Sequence, residues 1–358
     1  MAWSTLLLIL PLCVQAAYLL PRSPQTPSPP APRYPIKQIG QFPNPTWIEN
    51  LAVRSNGHLL LTLFNTPALY TLNPFLANAT PQLVATFPAA LGIMGITELS
   101  GSGSGAETFA ITAGNLSETG IPDLASFSIW KVNLNPPHGT GTGSGGASIS
   151  KIVDVSSAVI LNGLTTVGKD KKVLIAADSI GGVLFRVDLT TKNPKVEVAL
   201  NTSATQPGEP YPLGWGVNGV HFRENQLYFT NTDKGLYRVP VGEDGKLKEG
   251  EVKLVSGFLG ADDFDFGIKG DKEILLANGG GGFVQKVNTA TGEVVKVEVE
   301  VAGGKDNELL LLGITSVALG RAERDKKTLY AVTNGGWSGV PEGVQQVGGR
   351  VLAIDLGK

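Results

Sequence analysis

Cysteine is nearly absent from this sequence, because the chain of 358 residues contains a single copy, Cys13. One cysteine cannot form a disulfide within the chain, and it cannot build a cysteine-based zinc site. Histidine is also sparse, with three copies, His58, His138 and His221, so zinc or copper sites are not expected. Stability must therefore come from apolar burial and sheet closure.

The sequence has no surplus of basic residues and no long helical pattern. Its formal net charge is −2, which excludes nucleic acid and anionic membrane surfaces as expected partners. No stretch keeps an apolar period of 3.6 residues, so little helix is predicted. Aromatic residues make up 7% of the chain, whereas 46 glycines and 23 prolines divide it into short segments. Such frequent glycine and proline residues favour many short strands.

The first 35 residues predict a leader and a linker. Residues 1–17 contain a short apolar run that ends in small residues, which is typical of a secretory signal peptide and too short to span a membrane. Residues 18–35 are rich in proline and predict an extended linker. We expect one folded domain over residues 36–358 and a secreted or secretory-pathway protein. Three sequons support that route as N-glycosylation acceptors, Asn78, Asn115 and Asn201.

One segment occurs twice in nearly the same form. Residues 161–189 and residues 217–241 both open with Asn-Gly-apolar, cross a charged turn, and continue through two alternating strands. A repeat of about 50 residues with this strand content is typical of a β-propeller. Six such units can be counted, and the alternating segment 35–42 supplies the strand that the last unit lacks. The fold prediction is therefore an all-β, six-bladed β-propeller whose ring is closed by an N-terminal strand, with a pair of β-sandwiches as the weaker alternative.

Aligning the unit starts brings four polar residues to equivalent positions around the predicted axis: Glu49, Asn162, Asn218 and Asp262. Carboxylate and carboxamide oxygens are the donors that Ca²⁺ or Mg²⁺ prefers. The same residue types also cap tight turns at strand starts, and the alignment leaves both interpretations open.

Asn-Gly-apolar at the head of two units, with Glu49 in the first and Asp262 in the fifth, resembles the SMP-30/gluconolactonase-like family of six-bladed propellers. The resemblance covers about residues 36–358. It implies that Glu49, Asn162, Asn218 and Asp262 hold a divalent metal, and that Asp262 acts as the general base of a lactonase. The chain departs from the family motif at two places, and both departures weaken the prediction of hydrolysis. Asn50-Leu51 follows Glu49 where the family has Gly-Pro or Ser-Pro, and Ala261 and Asp263 flank Asp262 in place of proline and glycine.

The sequence segments 45–54, 95–98 and 108–110 resemble those of a fungal secreted branch of these propellers. That branch includes the hetero-Diels–Alderases of tropolone–sesquiterpenoid biosynthesis. The resemblance implies an enzyme that joins a quinone methide to a cyclic sesquiterpene without a required cofactor. Such a site needs aromatic walls and a few hydrogen-bond donors. The candidate donors are Asn162, Asn218 and His221. The aromatic candidates are Trp47, Trp215, Phe264 and Trp337, each of which could instead pack between neighbouring blades.

These resemblances give the favoured function, a monomeric pericyclase that acts on small apolar metabolites in fungal secondary metabolism. The alternatives are a lactonase that depends on Ca²⁺ or another divalent metal, and a non-catalytic propeller that binds a ligand at its mouth. The fold alone does not distinguish the three. His221, three residues after Asn218, is interpreted as a core histidine.

Overall fold

The computed structural model describes residues 32–99, 107–116, 122–134, 147–208, 214–257, 260–268, 272–301, 307–337 and 339–357. Residues from Arg33 onward form one compact unit. The predicted signal peptide and most of the predicted linker lie outside the described residues.

Strands account for nearly all of the regular structure. The first is β1 (Arg33–Gln41), and four four-stranded antiparallel sheets follow it in chain order. Sheet 1 contains β2 (Ile48–Val53), β3 (Leu59–Leu63), β4 (Ala68–Leu72) and β5 (Gln82–Thr86). Sheet 2 contains β6 (Gly92–Glu98), β7 (Thr108–Gly114), β8 (Ser128–Asn133) and β9 (Ser148–Asp154). Sheet 3 contains β10 (Leu161–Val167), β11 (Val173–Asp178), β12 (Val183–Asp188) and β13 (Val196–Leu200). Sheet 4 contains β14 (Val217–Arg223), β15 (Gln226–Asn231), β16 (Gly235–Pro240) and β17 (Lys253–Ser256).

The remaining strands form one eight-stranded sheet, in the order β18-β19-β20-β21-β1-β24-β23-β22. Its members from the chain's last third are β18 (Ala261–Phe266), β19 (Glu273–Asn278), β20 (Phe283–Asn288), β21 (Val294–Val301), β22 (Ile314–Leu319), β23 (Thr328–Thr333) and β24 (Arg350–Asp355). The described helical elements are the one-turn helix α1 (Asn307–Leu310) and a 3₁₀ turn at Glu249–Glu251. Among the described residues, no helix has the length and apolarity needed to cross a membrane.

The all-β, propeller-like prediction is confirmed, and the two copies of the repeat form the first three strands of sheets 3 and 4. Six separate sheets are not seen, because β1 joins the predicted fifth and sixth units. It pairs antiparallel with β24, as expected of a closing strand, and also pairs in parallel with β21 over Arg33–Ile36. β1 begins at Arg33, within the segment predicted as linker.

The apolar core is divided among the spaces between neighbouring sheets. Phe127 of the loop before β8 packs with Leu161 of sheet 3, and Ala177 of sheet 3 packs with Phe229 of sheet 4. Continuous burial along central strands such as β3 and β7 reflects sheets that are covered on both faces. The first strands β2, β6, β10, β14, β18 and β22 each contact two of the others, so that their contacts close into a ring.

Candidate functional site

Every first strand carries a break in its register close to its beginning. The pairing of β10 with β11 shifts between Leu161 and Leu164, and that of β14 with β15 shifts between Val217 and Val220. Equivalent shifts occur in the other four first strands, β2, β6, β18 and β22. Such β-bulges re-aim side chains and often lie beside functional sites. Asn162 and Asn218 lie within these bulges.

The bulges bring the four aligned residues to one cavity of about 230 Å³. Its wall combines aromatic, polar and glycine residues, namely Trp47, Glu49, Phe64, Asn162, Trp215, Asn218, Thr232, Gly260, Asp262, Gly279, Gly280, Ile314 and Asn334. The sequence alignment predicted Glu49, Asn162, Asn218 and Asp262 at equivalent positions, and the structure places all four on this wall. All four residues belong to strands, namely β2, β10, β14 and β18.

The aromatic wall is built around Trp47. Its ring stacks on Phe64, with centroids 4.4 Å apart, and lies 6.0 Å from the ring of Trp337. Trp337 is 38% exposed and is not among the residues that line the cavity, so its link to the site is the ring contact with Trp47. Trp215 is half-buried and lines the cavity itself. Two of the four predicted aromatic residues, Trp47 and Trp215, therefore line the cavity, and Trp337 contacts the first of them.

Phe264, the fourth predicted aromatic residue, is placed elsewhere. It is fully buried in the core between sheet 4 and β18–β20, with its ring centroid 4.7 Å from that of His221. The bulge in β18 directs Asp262 to the cavity, and pairing resumes at Phe264 opposite Leu276. The side chain of Phe264 therefore packs in the core rather than facing a substrate.

Glu49 is buried and accepts a hydrogen bond from the indole nitrogen Nε1 of Trp47, at 2.6 Å from Oε2. Burial raises the pKa of Glu49 to about 7, the hydrogen bonds from Trp47 and Asn162 oppose the rise, and the negative Asp263 adds to it. The carboxyl group of Glu49 is therefore a weaker acid than an ordinary glutamate.

The pKa of Asp262 lies well above its ordinary value, first because the group is desolvated and then because Glu49 and Asp263 are close by. A hydrogen bond from Asn218 opposes the rise. Asp262 is partly accessible, but its accessible part faces the cavity, so the carboxyl remains shielded from bulk water. Nδ2 of Asn218 also donates to the hydroxyl of Thr232 at 3.2 Å.

A second polar cluster, which the alignment did not identify, adjoins these residues in sequence and in space. The carboxylate of Asp263 accepts hydrogen bonds from Nδ2 of Asn50 at 2.8 Å and from Oγ of Ser316 at 3.1 Å. Its other oxygen lies 3.0 Å from Nε2 of His221. Burial lowers the pKa of His221, but Asp263 and Asp265 outweigh that effect, so the net direction is upward. The sequence did contain a signal for this cluster. Asn50 and Asp263 are two of the positions at which the chain departs from the family motif, and their side chains are hydrogen-bonded to each other.

The predicted glycosylation sites lie outside this region of the fold. Asn78 and Asn201 are exposed, and Asn201 accepts a hydrogen bond from Gln206 at 2.8 Å. Asn115 is half-buried, and its sequon serine lies outside the described residues. Glycosylation at the three positions stays a prediction.

Whether a divalent metal fits this cavity depends on the donor atoms that the cavity wall offers. Among the described residues, no three His, Cys, Asp and Glu side chains converge as a metal-binding group. A site here would therefore need the amide oxygens of Asn162 and Asn218 beside the carboxylates of Glu49 and Asp262. These are hard oxygen donors on one cavity wall, and the charged neighbours of Asp262 are acidic, so the donor chemistry suits Ca²⁺.

No protein-family profile matches the chain. A protein of Phoma sp. that carries the provisional name hetero-Diels-Alderase is 25% identical over 320 residues, which cover 84% of this chain and 87% of that protein. Among solved structures, the major allergen Mala s 1 of Malassezia sympodialis aligns with a TM-score of 0.60 at 13% identity, over 90% of this chain and 96% of the allergen. The PQQ-bound aldose sugar dehydrogenase of Streptomyces coelicolor aligns with a TM-score of 0.57 at 14% identity, over 92% and 99%. At these identities the two structures bear on the fold alone.

Proposed function

We propose that the chain is a six-bladed propeller enzyme of the SMP-30/gluconolactonase-like kind. The eight-stranded sheet divides into β18–β21 and a second half made of β22–β24 and β1, and the strand pairing between the two halves consists of four residue pairs of β1 and β21. A separate apolar cluster lies between these halves, as between the other neighbouring sheets. The closed ring of six first strands supports the same count.

The proposed reaction is a hetero-Diels–Alder cycloaddition between a quinone methide of the tropolone type and a cyclic sesquiterpene. The observation that carries it is the cavity, where Trp47, Phe64 and Trp215 form apolar walls around the carboxyl groups of Glu49 and Asp262, the first of which accepts a hydrogen bond from Trp47. Two largely apolar partners could be oriented there without a proton shuttle. The name of the Phoma relative supports the same proposal.

In such a reaction one C–O bond and one C–C bond form together from π bonds, and no proton or leaving group is transferred. Holding both partners in a reactive orientation lowers the barrier by up to roughly 7–11 kcal/mol. Because the raised pKa of Asp262 favours its neutral form, this carboxyl can donate a hydrogen bond to the carbonyl oxygen of the quinone methide. That bond makes the electron-poor partner more reactive, while the aromatic wall keeps water from the methide carbon.

The proposal predicts that Trp215→Ala lowers kcat/KM for cycloaddition about tenfold, since an aromatic wall contributes on the order of 1–1.5 kcal/mol beyond its area. The assay mixes purified protein with a quinone methide released in situ and a cyclic sesquiterpene olefin, and measures the rate and enantiomeric excess of the adduct. Leu254→Ala removes an exposed apolar side chain on β17 and should leave both unchanged. A racemic adduct formed by the wild type at the rate of the protein-free blank would refute the cycloaddition.

A lactonase is the second candidate, because Glu49, Asn162, Asn218 and Asp262 do line one cavity. A bound divalent metal would polarise a lactone carbonyl and acidify water. In that case Glu49 and Asp262 would bind as carboxylates, with the two amides completing the set. The expected result under the cycloaddition proposal is no hydrolysis across a lactone panel, with or without Ca²⁺. Hydrolysis that EDTA abolishes and Ca²⁺ restores would instead establish the lactonase.

The remaining features of the proposal come from the sequence. The leader at residues 1–17 and the three sequons support a secreted glycoprotein, and the resemblance to the fungal branch supports a monomer acting on small apolar metabolites.

A further inference from the structure

Thr230 on β15 is fully buried and connects two sheets through its hydroxyl group. The oxygen accepts a hydrogen bond from the backbone N–H of Gly219 at 2.9 Å, within its own sheet. The same hydroxyl donates to the backbone carbonyl of Asp262 on β18, at 2.6 Å. A cavity residue is thereby held by a side chain that does not reach the cavity.

Two other hydroxyls make the same kind of bond. Thr112 on β7 donates to the carbonyl of Asn162 in sheet 3 at 3.1 Å. Thr315 on β22 donates to the carbonyl of Ile48 in sheet 1 at 2.7 Å, one residue before Glu49. All three donors are buried, and each bond crosses from one sheet to the first strand of the next.

The donors are not spread over every sheet, and Thr315 differs from the other two because it lies on a first strand, inside the bulge of β22. Ala177 on β11 and Ala277 on β19 occupy the pairing positions that correspond to Thr112 and Thr230, opposite the bulges of their own sheets. An alanine has no hydroxyl to donate to the following strand. The three hydrogen bonds between sheets therefore reach the first strands that carry Asn162, Asp262 and Glu49. The first strand of the sheet after Ala177 carries Asn218, and Ala177 has no hydroxyl to donate to it.

We infer that Thr230, Thr112 and Thr315 are positioning residues, whose hydroxyls fix the bulged backbone from which Asp262, Asn162 and Glu49 project into the cavity. A bulge lacks regular ladder bonds, so its backbone needs another partner to hold one geometry. Fixing the carbonyl of Asp262 fixes its peptide plane and hence the direction of its side chain. Displacements of about 1 Å at a catalytic group lower rates by on the order of 100-fold, so a partial loss of this constraint is measurable.

The test compares Thr230→Val, which keeps the shape and removes the hydroxyl, with Thr62→Val. Thr62 is also fully buried, but its hydroxyl bonds to Asn50 within sheet 1, at 3.3 Å. Crystal structures of both variants give a readout that is independent of any reaction. We expect the Asp262 carboxyl to move relative to Asn218 in the Thr230 variant and to stay in place in the Thr62 variant. An unmoved Asp262, or an equal shift in both variants, would overturn the inference.

Kinetics supply a second readout, which rests on the proposed function. Thr230→Val is expected to lower kcat about tenfold with KM changed less than twofold, Thr230→Ser to restore kcat, and Thr62→Val to behave as wild type. A fall in kcat that serine does not restore would count against positioning. If Thr230→Val does not fold, Thr112→Val tests the same constraint at Asn162. If the wild type has no cycloaddition activity, the proposed function is refuted. The crystal structures would still decide whether Thr230 positions Asp262.

Discussion

Gly163→Ala is expected to destabilise the protein by about 3 kcal/mol or more, the upper end of the range for overpacking. A Cβ atom at Gly163 would lie 2.3 Å from the backbone oxygen of Asn218 and 3.1 Å from the Cα of Gly219. These neighbours are backbone atoms of the next first strand, so they cannot rotate away as a side chain could. Interiors are too closely packed to absorb such a displacement without cost.

Guanidinium unfolding of the purified variant measures this loss, with soluble yield as a first indication. Gly250→Ala is the matched control, because a Cβ there would meet nothing within 4 Å, and its effect should stay within about 0.5 kcal/mol. If Gly163→Ala is as stable as the control, the first strands are not as close as described.

Glu49→Gln is expected to stabilise the protein at pH 8 by up to about 3 kcal/mol and to have little effect near pH 4.5. In the folded wild type the pKa of Glu49 is raised from its ordinary 4.5 to about 7, so the folded state binds more protons than the unfolded state between those values. Stability is therefore fully present below about pH 4.5 and falls as the pH rises through 7. A shift of this size corresponds to about 3 kcal/mol. Glutamine remains neutral and its oxygen can still accept the bond from Trp47.

The measurement is the free energy of unfolding of wild type and variant at intervals from pH 4.5 to pH 8.5, in the presence of a chelator. Glu98→Gln is the control, since Glu98 forms exposed ion pairs with Arg321 and Lys171 and its loss should cost at most about 1 kcal/mol. Parallel pH profiles for wild type and Glu49→Gln would contradict the raised pKa. If added Ca²⁺ restores the stability of the wild type at pH 8 and leaves Glu49→Gln unchanged, the carboxylate binds the metal.

The sequence predicted the strands well because alternation and Gly-rich turns are local signals. The repeat at residues 161–189 and 217–241 located sheets 3 and 4, and segment 35–42 was recognised as the strand that pairs with β24. The parallel pairing of Arg33–Ile36 with β21 was missed, because a proline-rich segment has no local signal for a partner more than 250 residues away. The alignment of unit starts also predicted the four polar cavity residues.

What the alignment could not predict was the side-chain direction beyond each bulge. Strict alternation does not hold where two residues oppose one, so Phe264 was placed at the cavity although it lies in the core. The departures at Asn50 and Asp263 looked like unrelated losses of a pattern. The structure shows that they are partners, 2.8 Å apart across the ring, and only a three-dimensional arrangement could relate them.

The glycine after Asn162 has a related explanation. Gly163 does not lie at a turn with a left-handed backbone, since its φ is not positive. Its role is to let β14 approach, and Gly95 plays the same part for β10, with a Cβ that would lie 2.3 Å from the oxygen of Asn162. The Asn-Gly pair therefore combines a polar cavity residue with the space that the neighbouring strand requires.

The pairing of β1 with β24 also determines when the protein can finish folding during synthesis. Residues 36–41 must wait for residues 350–354, which belong to β24, the last of the described strands. At roughly 5–20 residues per second, translation of the intervening chain takes tens of seconds, and contacts of such long range form slowly in any case. During that interval the strand is exposed to other chains in the cell. Its polar residues, Lys37, Gln38 and Gln41, and the proline at position 35 are the kinds of residue that discourage edge-to-edge association until the ribosome has released the final strand.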